Sequence, residues 1–134
     1  MDTTTAPATD PVSLFLTQLT SGSGIDPAVF SPDARLDATV PHWRFERTGA
    51  DAVAAALSDW YALPTTIDVA RRRPLPGGEA VELDLSWIED GVPHAAHQVH
   101  LFEIAGGRLV ADTVYCGGRW SADLLAEMEA ARAS

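Results

Sequence analysis

Residues 79–89 constrain the fold more than any other segment. Val81, Leu83, Leu85 and Trp87 alternate with Glu82, Asp84 and Ser86, and this period of two is that of a half-buried β-strand. Asp90-Gly91 follows, a hairpin signal because both residue types tolerate positive φ. The chain must then turn back and pair, and residues 93–104 supply the partner. Ala105-Gly106-Gly107 turns it again into residues 108–116. Upstream, residues 66–73 read as a strand closed by Pro74-Leu75-Pro76-Gly77-Gly78. Four strands with connections too short for crossovers form an antiparallel meander.

Helices are placed by their start signals. Asp10-Pro11 predicts an N-cap with proline at the first helical position, and Val12, Phe15, Leu16 and Leu19 extend an amphipathic helix over 11–20. Asp26-Pro27 starts a short helical turn through Phe30, and residues 34–40 read as a strand. Thr48-Gly49-Ala50-Asp51 has the spacing of a capping box. It opens a helix over 49–61 with Val53, Ala56, Leu57 and Trp60 on one face. Ser121 caps a last helix over 122–132. The Thr-, Ala- and Pro-rich residues 1–10 are predicted to be a disordered tail, and 11–134 a single domain. A chain of 134 residues suits that count and buries roughly two thirds of its unfolded surface without staples. The predicted class is α+β, with helices on one face of the sheet.

The last two strands break the simple pattern. Val99 and Leu101 oppose Gln98, His100 and Phe102, while Leu109 and Tyr115 oppose Val110, Val114 and Cys116. An antiparallel sheet with one wet face alternates, so both faces are expected to be covered, one by helices and the other by a partner chain or the C-terminal helix.

Charge narrows the partners. Nineteen acidic and nine basic residues give a net charge of -10, and every basic residue is arginine. Such a chain is repelled by phosphate backbones and anionic membranes, so neither nucleic acid nor membrane is an expected partner. No run approaches the ~20 apolar residues of a membrane span, and the N-terminus lacks the features of a signal peptide, so a cytoplasmic location is expected. Cys116 is the sole cysteine, which excludes an internal disulfide and any multi-cysteine zinc site.

The arrangement resembles the nuclear transport factor 2-like superfamily, in particular its SnoaL-like polyketide cyclase and ketosteroid isomerase branch. Three segments carry the resemblance. They are Phe30-Ser31-Pro32-Asp33-Ala34-Arg35-Leu36-Asp37, then Gly49 to Trp60, then Phe102-Glu103-Ile104-Ala105-Gly106-Gly107-Arg108-Leu109-Val110. The resemblance covers roughly residues 11–117. It implies a curved sheet wrapped around N-terminal helices into a cone (a cystatin-like α+β barrel), here with an extra C-terminal helix. It further implies a deep pocket, dimerisation through the convex face, and a small apolar, polyketide-like substrate. It leaves function open, since one fold hosts many activities.

The candidate chemistry centres on His100 and Asp112. If Ala105-Gly106-Gly107 is a three-residue loop, the two pair directly, with Cβ atoms about 5 Å apart on one face. If only Gly106-Gly107 forms the loop, they fall on opposite faces. A partly desolvated carboxylate–imidazole pair is a tunable general acid/base. The resemblance implies the same role for Asp112, an aspartate late in the sheet, and puts His100 near an oxyanion-hole position. It also marks two departures, Ala38 where isomerases carry their catalytic aspartate and Leu14 where they carry a tyrosine. Asp37 is thus expected on the surface. Trp43, Trp60, Leu83, Trp87, Phe102 and Val114 are predicted walls of an apolar pocket. Gln98 is placed to orient a substrate carbonyl, and Cys116 faces the pocket as a small hydrophobe. His94, His97 and His100 do not make a metal site, because His97 points away from the other two. Neither metal nor cofactor is expected. The predicted function is a small cofactor-independent acid/base enzyme of isomerase, cyclase or dehydratase type. The alternative is a non-catalytic ligand-binding or dimerisation module.

Overall fold

The computed structural model describes residues 10–133. The predicted tail at 1–10, apart from Asp10, lies outside them. Helix α1, Pro11–Ser21, is capped as its sequence requires: the Asp10 carboxylate accepts from Ser13 N at 2.8 Å. A short 3-10 turn, Pro27–Val29, leads into strand β1, Phe30–Val40. Strand β2, Trp43–Thr48, pairs antiparallel with β1 and was not legible as a strand, since it is a short edge strand with no buried residue. Helix α2, Ala50–Trp60, begins differently from the predicted capping box. Gly49 is the N-cap at φ 98°, and no side chain caps the first turn. Thr48 is the last residue of β2, one position too early to serve.

The meander follows as β3, Thr66–Leu75, β4, Gly78–Glu89, β5, Val92–Ala105, and β6, Arg108–Cys116, all antiparallel. Strand β7, Trp120–Ser121, pairs with the part of β5 that lies beyond the end of β6. Helix α3, Ala122–Ala133, closes the described chain. Strand β1 runs parallel to β6, so the sheet is mixed, curved and not closed, in the order β2-β1-β6-β5-β4-β3. Only this pairing of β1 with a strand some 80 residues later brings the N-terminal half over the meander.

The β5–β6 register decides the site. Ala105 pairs with Arg108, so the turn is the two-residue Gly106-Gly107 and not the three-residue loop. Both glycines have positive φ, 60° and 75°, as a tight hairpin between right-twisted strands demands. By parity alone this turn would separate His100 from Asp112. A bulge prevents it: Glu103 pairs with Ala111 but Ile104 pairs with Leu109, so Val110 is an extra residue on β6. Beyond the bulge Phe102 opposes Asp112 and His100 opposes Val114. His100 and Asp112 are therefore diagonal neighbours on one face. The bulge also turns Leu109 inward, fully buried, and leaves Val110 half-buried, the reverse of the predicted assignment.

The core lies between the concave face and the helices. Val12, Phe15 and Leu19 of α1 and Val53 and Leu57 of α2 pack on Val81, Leu83 and Leu85 of β4 and on Leu36, Phe102, Leu109 and Val114. Helix α3 lies against β5 and β7 with no fully buried residue of its own. Leu101 and Tyr115 remain 37% and 53% exposed on the convex face.

Leu83→Ala should cost about 2–5 kcal/mol in urea unfolding, because a fully enclosed leucine leaves a cavity. Asp84→Ala, on the opposite face and partnered among the described residues by His97, should cost under about 1 kcal/mol. Equal costs would contradict the register.

Candidate active site

The two strands hold His100 and Asp112 in direct contact. Nδ1 of His100 donates to both carboxylate oxygens of Asp112, at 2.9 and 3.0 Å. A carboxylate only accepts, so this bond sets the tautomer and turns Nε2 away from the aspartate. Both side chains are wholly excluded from solvent. The imidazole is stacked on Phe102, with centroids 5.3 Å apart, and Phe15 of α1 closes over it edge-on at 5.4 Å.

Tyr61 leads from this pair toward the outside. It follows the last residue of α2, and its hydroxyl lies 3.1 Å from His100 Nε2 while donating to Gln98 Oε1 at 2.5 Å. Gln98 Nε2 in turn donates to Cys116 Sγ at 3.5 Å. One polar line thus runs from Asp112 through His100 to Tyr61 and Gln98. Burial pushes the Tyr61 phenol well above its ordinary value of 10.0, and the nearby Asp112 carboxylate adds to the effect. The phenol is a group that keeps its proton and offers it.

A cavity of about 310 Å³ opens beside this line. Tyr61 and Gln98 reach it; His100 and Asp112 do not line it and sit one side chain deeper. Trp60, Leu85, Trp87 and Ala96 give it apolar walls. Trp60 is stacked on Tyr61 at 5.8 Å with ring planes 5° apart, which braces the phenol. At the rim are Asp59, Glu89, Asp90 and Arg119. Glu89 accepts from Trp87 Nε1 at 3.0 Å and is also paired with Arg119, whose guanidinium lies 5.1 Å over the Trp87 ring. The Trp87 hydrogen bond, outweighing desolvation and aided by Arg119, holds the Glu89 carboxyl below its usual range.

The structure therefore sorts the predicted pocket residues. Trp60, Trp87 and Gln98 line the cavity. Leu83, Phe102 and Val114 are buried in the core, and Cys116 lies behind Gln98. Trp43 is 69% exposed at the start of β2 and is not among the residues lining this cavity. Asp37 lies outward in a two-point contact with Arg44, at 2.9 and 2.6 Å. His97 points to the convex face, where it meets Asp84 at 2.5 Å and Glu82 at 3.2 Å. Arg71 and Arg73 also pair with Glu82, and Arg72 with Glu79 and Asp10. Among the described residues no three His, Cys, Asp or Glu side chains are grouped to hold a metal ion. Tyr61 was missed in the sequence. Its one signal was position, a tyrosine directly after a helical face that ends in Trp60 and before a Leu-Pro break.

No protein-family model matches the chain, and no curated protein does. Solved structures do. A nuclear transport factor 2-like protein from Anabaena variabilis superposes with a TM-score of 0.69 at 12% identity, covering 81% of this chain and 84% of that one. A candidate isomerase from Rhodopseudomonas palustris gives 0.63 at 14% identity over 92% and 99% of the two chains. Another, from Bacillus subtilis, gives 0.63 at 15% identity over 80% and 84%. At these identities the likeness establishes the nuclear transport factor 2-like fold. No helix among the described residues is long and apolar enough to cross a membrane.

The raised value at Tyr61 predicts a pH dependence. Above pH 10.0 an unfolded chain releases the phenolic proton while the folded chain keeps it. Stability should then fall by about 1.4 kcal/mol per pH unit from this group. Unfolding of wild type and Tyr61→Phe across alkaline pH should show the variant's slope shallower by that amount. Parallel slopes would place the phenol in solvent.

Proposed function

We propose that this chain is a small acid/base enzyme that moves a proton next to a carbonyl group in an apolar substrate. The observation that carries the proposal is the buried Asp112–His100–Tyr61 line ending at a cavity with apolar walls. His100 Nε2 is the base and reaches the substrate through Tyr61. As the phenol turns its O–H from Gln98 Oε1 to Nε2 and gives up that proton, its oxygen takes one from the substrate carbon. The C–H bond breaks, the phenol O–H reforms, and the new imidazolium is held by the Asp112 carboxylate. Gln98 donates an amide N–H to the carbonyl oxygen as it gains charge. Return of the proton at another carbon makes the reaction an isomerisation. The same acid delivered to a hydroxyl or a carbonyl serves dehydration or cyclisation. The raised phenol value supports this reading, since a free phenolate would not pass a proton on. Two proteins of the same fold being candidate isomerases supports it as well. No step requires a metal or an organic cofactor.

Full burial of His100 and Asp112 favours a second reading, a non-catalytic module that binds an apolar ligand while the pair is purely structural. Deuterium exchange separates the two. In deuterated buffer the wild-type protein should accelerate exchange at the carbons beside the carbonyl of β-tetralone, followed by NMR. Tyr61→Phe and Asp112→Asn should each lose about 10²-fold or more of that acceleration. Binding of β-tetralone without any acceleration would leave the module reading standing instead.

The convex face supports assembly with a second copy. Val99, Leu101 and Tyr115 form an apolar centre. Paired charges of both signs surround it, Asp37 with Arg44 on one side and Glu82 with Arg71 and Arg73 on the other. A self-facing patch of this kind suits a two-fold dimer. Sedimentation equilibrium at micromolar concentration should give twice the chain mass, and Leu101→Glu should return it to a monomer. A monomeric wild type would exclude this use of the face.

A further inference from the structure

The polar groups around the cavity are unevenly satisfied, and the imbalance describes a ligand. At the inner end Gln98 is 2% exposed. Its Oε1 accepts from Tyr61, and one of its amide hydrogens goes to Cys116 Sγ. The second amide hydrogen has no partner among the described residues. A buried donor left unpaired costs about 1–3 kcal/mol, so a cavity that ends at one is built for an acceptor oxygen. At the outer end Arg119 is neutralised by Glu89. Asp59 and Asp90 line the same rim with no cation opposite them among the described residues. The mouth therefore carries uncompensated negative charge, and the net charge of -10 adds to the field. Between the two ends the walls are Trp60, Leu85, Trp87 and Ala96.

From this we infer that the cavity takes an apolar or aromatic molecule with a carbonyl-type acceptor at its inner end and a protonated amine at its outer end. The acceptor meets the free Gln98 amide hydrogen, and the ammonium group lies at the Asp59 and Asp90 rim. A carboxylate at the outer end would meet repulsion from both aspartates, and Arg119 is not free to offset it. This inference rests on the cavity being the substrate site proposed above, and names the substrate class of that site.

Three para-substituted acetophenones of nearly equal size test it: the aminomethyl compound, the hydroxymethyl compound and the acetylbenzoate anion. Kd is measured at pH 7 and low salt by following tryptophan fluorescence. The amine should bind about fivefold more tightly than the alcohol, and the alcohol more tightly than the anion. Added salt should shrink the gap. The Asp59→Asn, Asp90→Asn double variant should bring the amine to the Kd of the alcohol while leaving the alcohol unchanged. Gln98→Met should weaken all three alike, because each carries the same carbonyl. Equal binding of amine and alcohol, or tightest binding of the anion, would overturn the inference and leave the cavity's role intact. Failure of all three to bind a folded protein would overturn both.

Discussion

The contact between His100 and Asp112 is the one on which the rest depends. Taking a carboxylate and an imidazole wholly out of water is expensive, and only a partner at hydrogen-bond distance offsets the loss. Removing either partner from such a pair costs about 3–5 kcal/mol, while an apolar pair of similar volume can be as stable. Stability alone therefore gives no reason for the pair. It makes sense as a device that sets one imidazole tautomer and aims Nε2 at Tyr61. The surrounding core serves the same end. Phe102 stacks beneath the ring, and Phe15 lies edge-on to it, so the imidazole has no room to turn.

Depth divides the labour at this site. The imidazole and the carboxylate are sealed inside, and the polar side chains that reach the inner cavity wall are a phenol and an amide. Tyr61 joins the two layers from the C-cap of α2, directly after the helix's last residue. Its ring is pinned by Trp60, so the hydroxyl keeps its distance to both Gln98 and His100. The rim is built on a different principle. Arg119 and Glu89 are fixed on Trp87, whereas Asp59 and Asp90 sit at a helix end and a hairpin tip facing water. The cavity thus grades from a dry, ordered interior to a charged mouth.

Periodicity made the elements legible. Strand β4 alternates without a fault, and Val81, Leu83 and Leu85 point inward as their spacing requires. The α1 cap follows from Asp10-Pro11, and the even residues of β5 face the interior from Ala96 to Phe102. Strand β2 escaped notice because an exposed edge strand has little apolar pattern to display. Trp43 is a related case. A tryptophan at a strand end reads as a pocket wall, yet its burial depends on what packs over it, and here the side chain stays 69% exposed.

The sequence by itself determined that strands β5 and β6 form a glycine-turned hairpin carrying His100 and Asp112, because alternation and turn chemistry are local properties. It did not determine that the two side chains meet. The two-residue turn would have parted them, and the bulge at Val110 restores the parity. The bulge shifts the inward set on β6 by one residue and puts Leu109 in the core, which a strict period of two does not foresee. The Tyr61 hydroxyl beside His100 is likewise a long-range fact, joining residues 39 positions apart. Local sequence chose the residues available for chemistry, and only the packing of α1 and α2 against the curved sheet decided which of them touch.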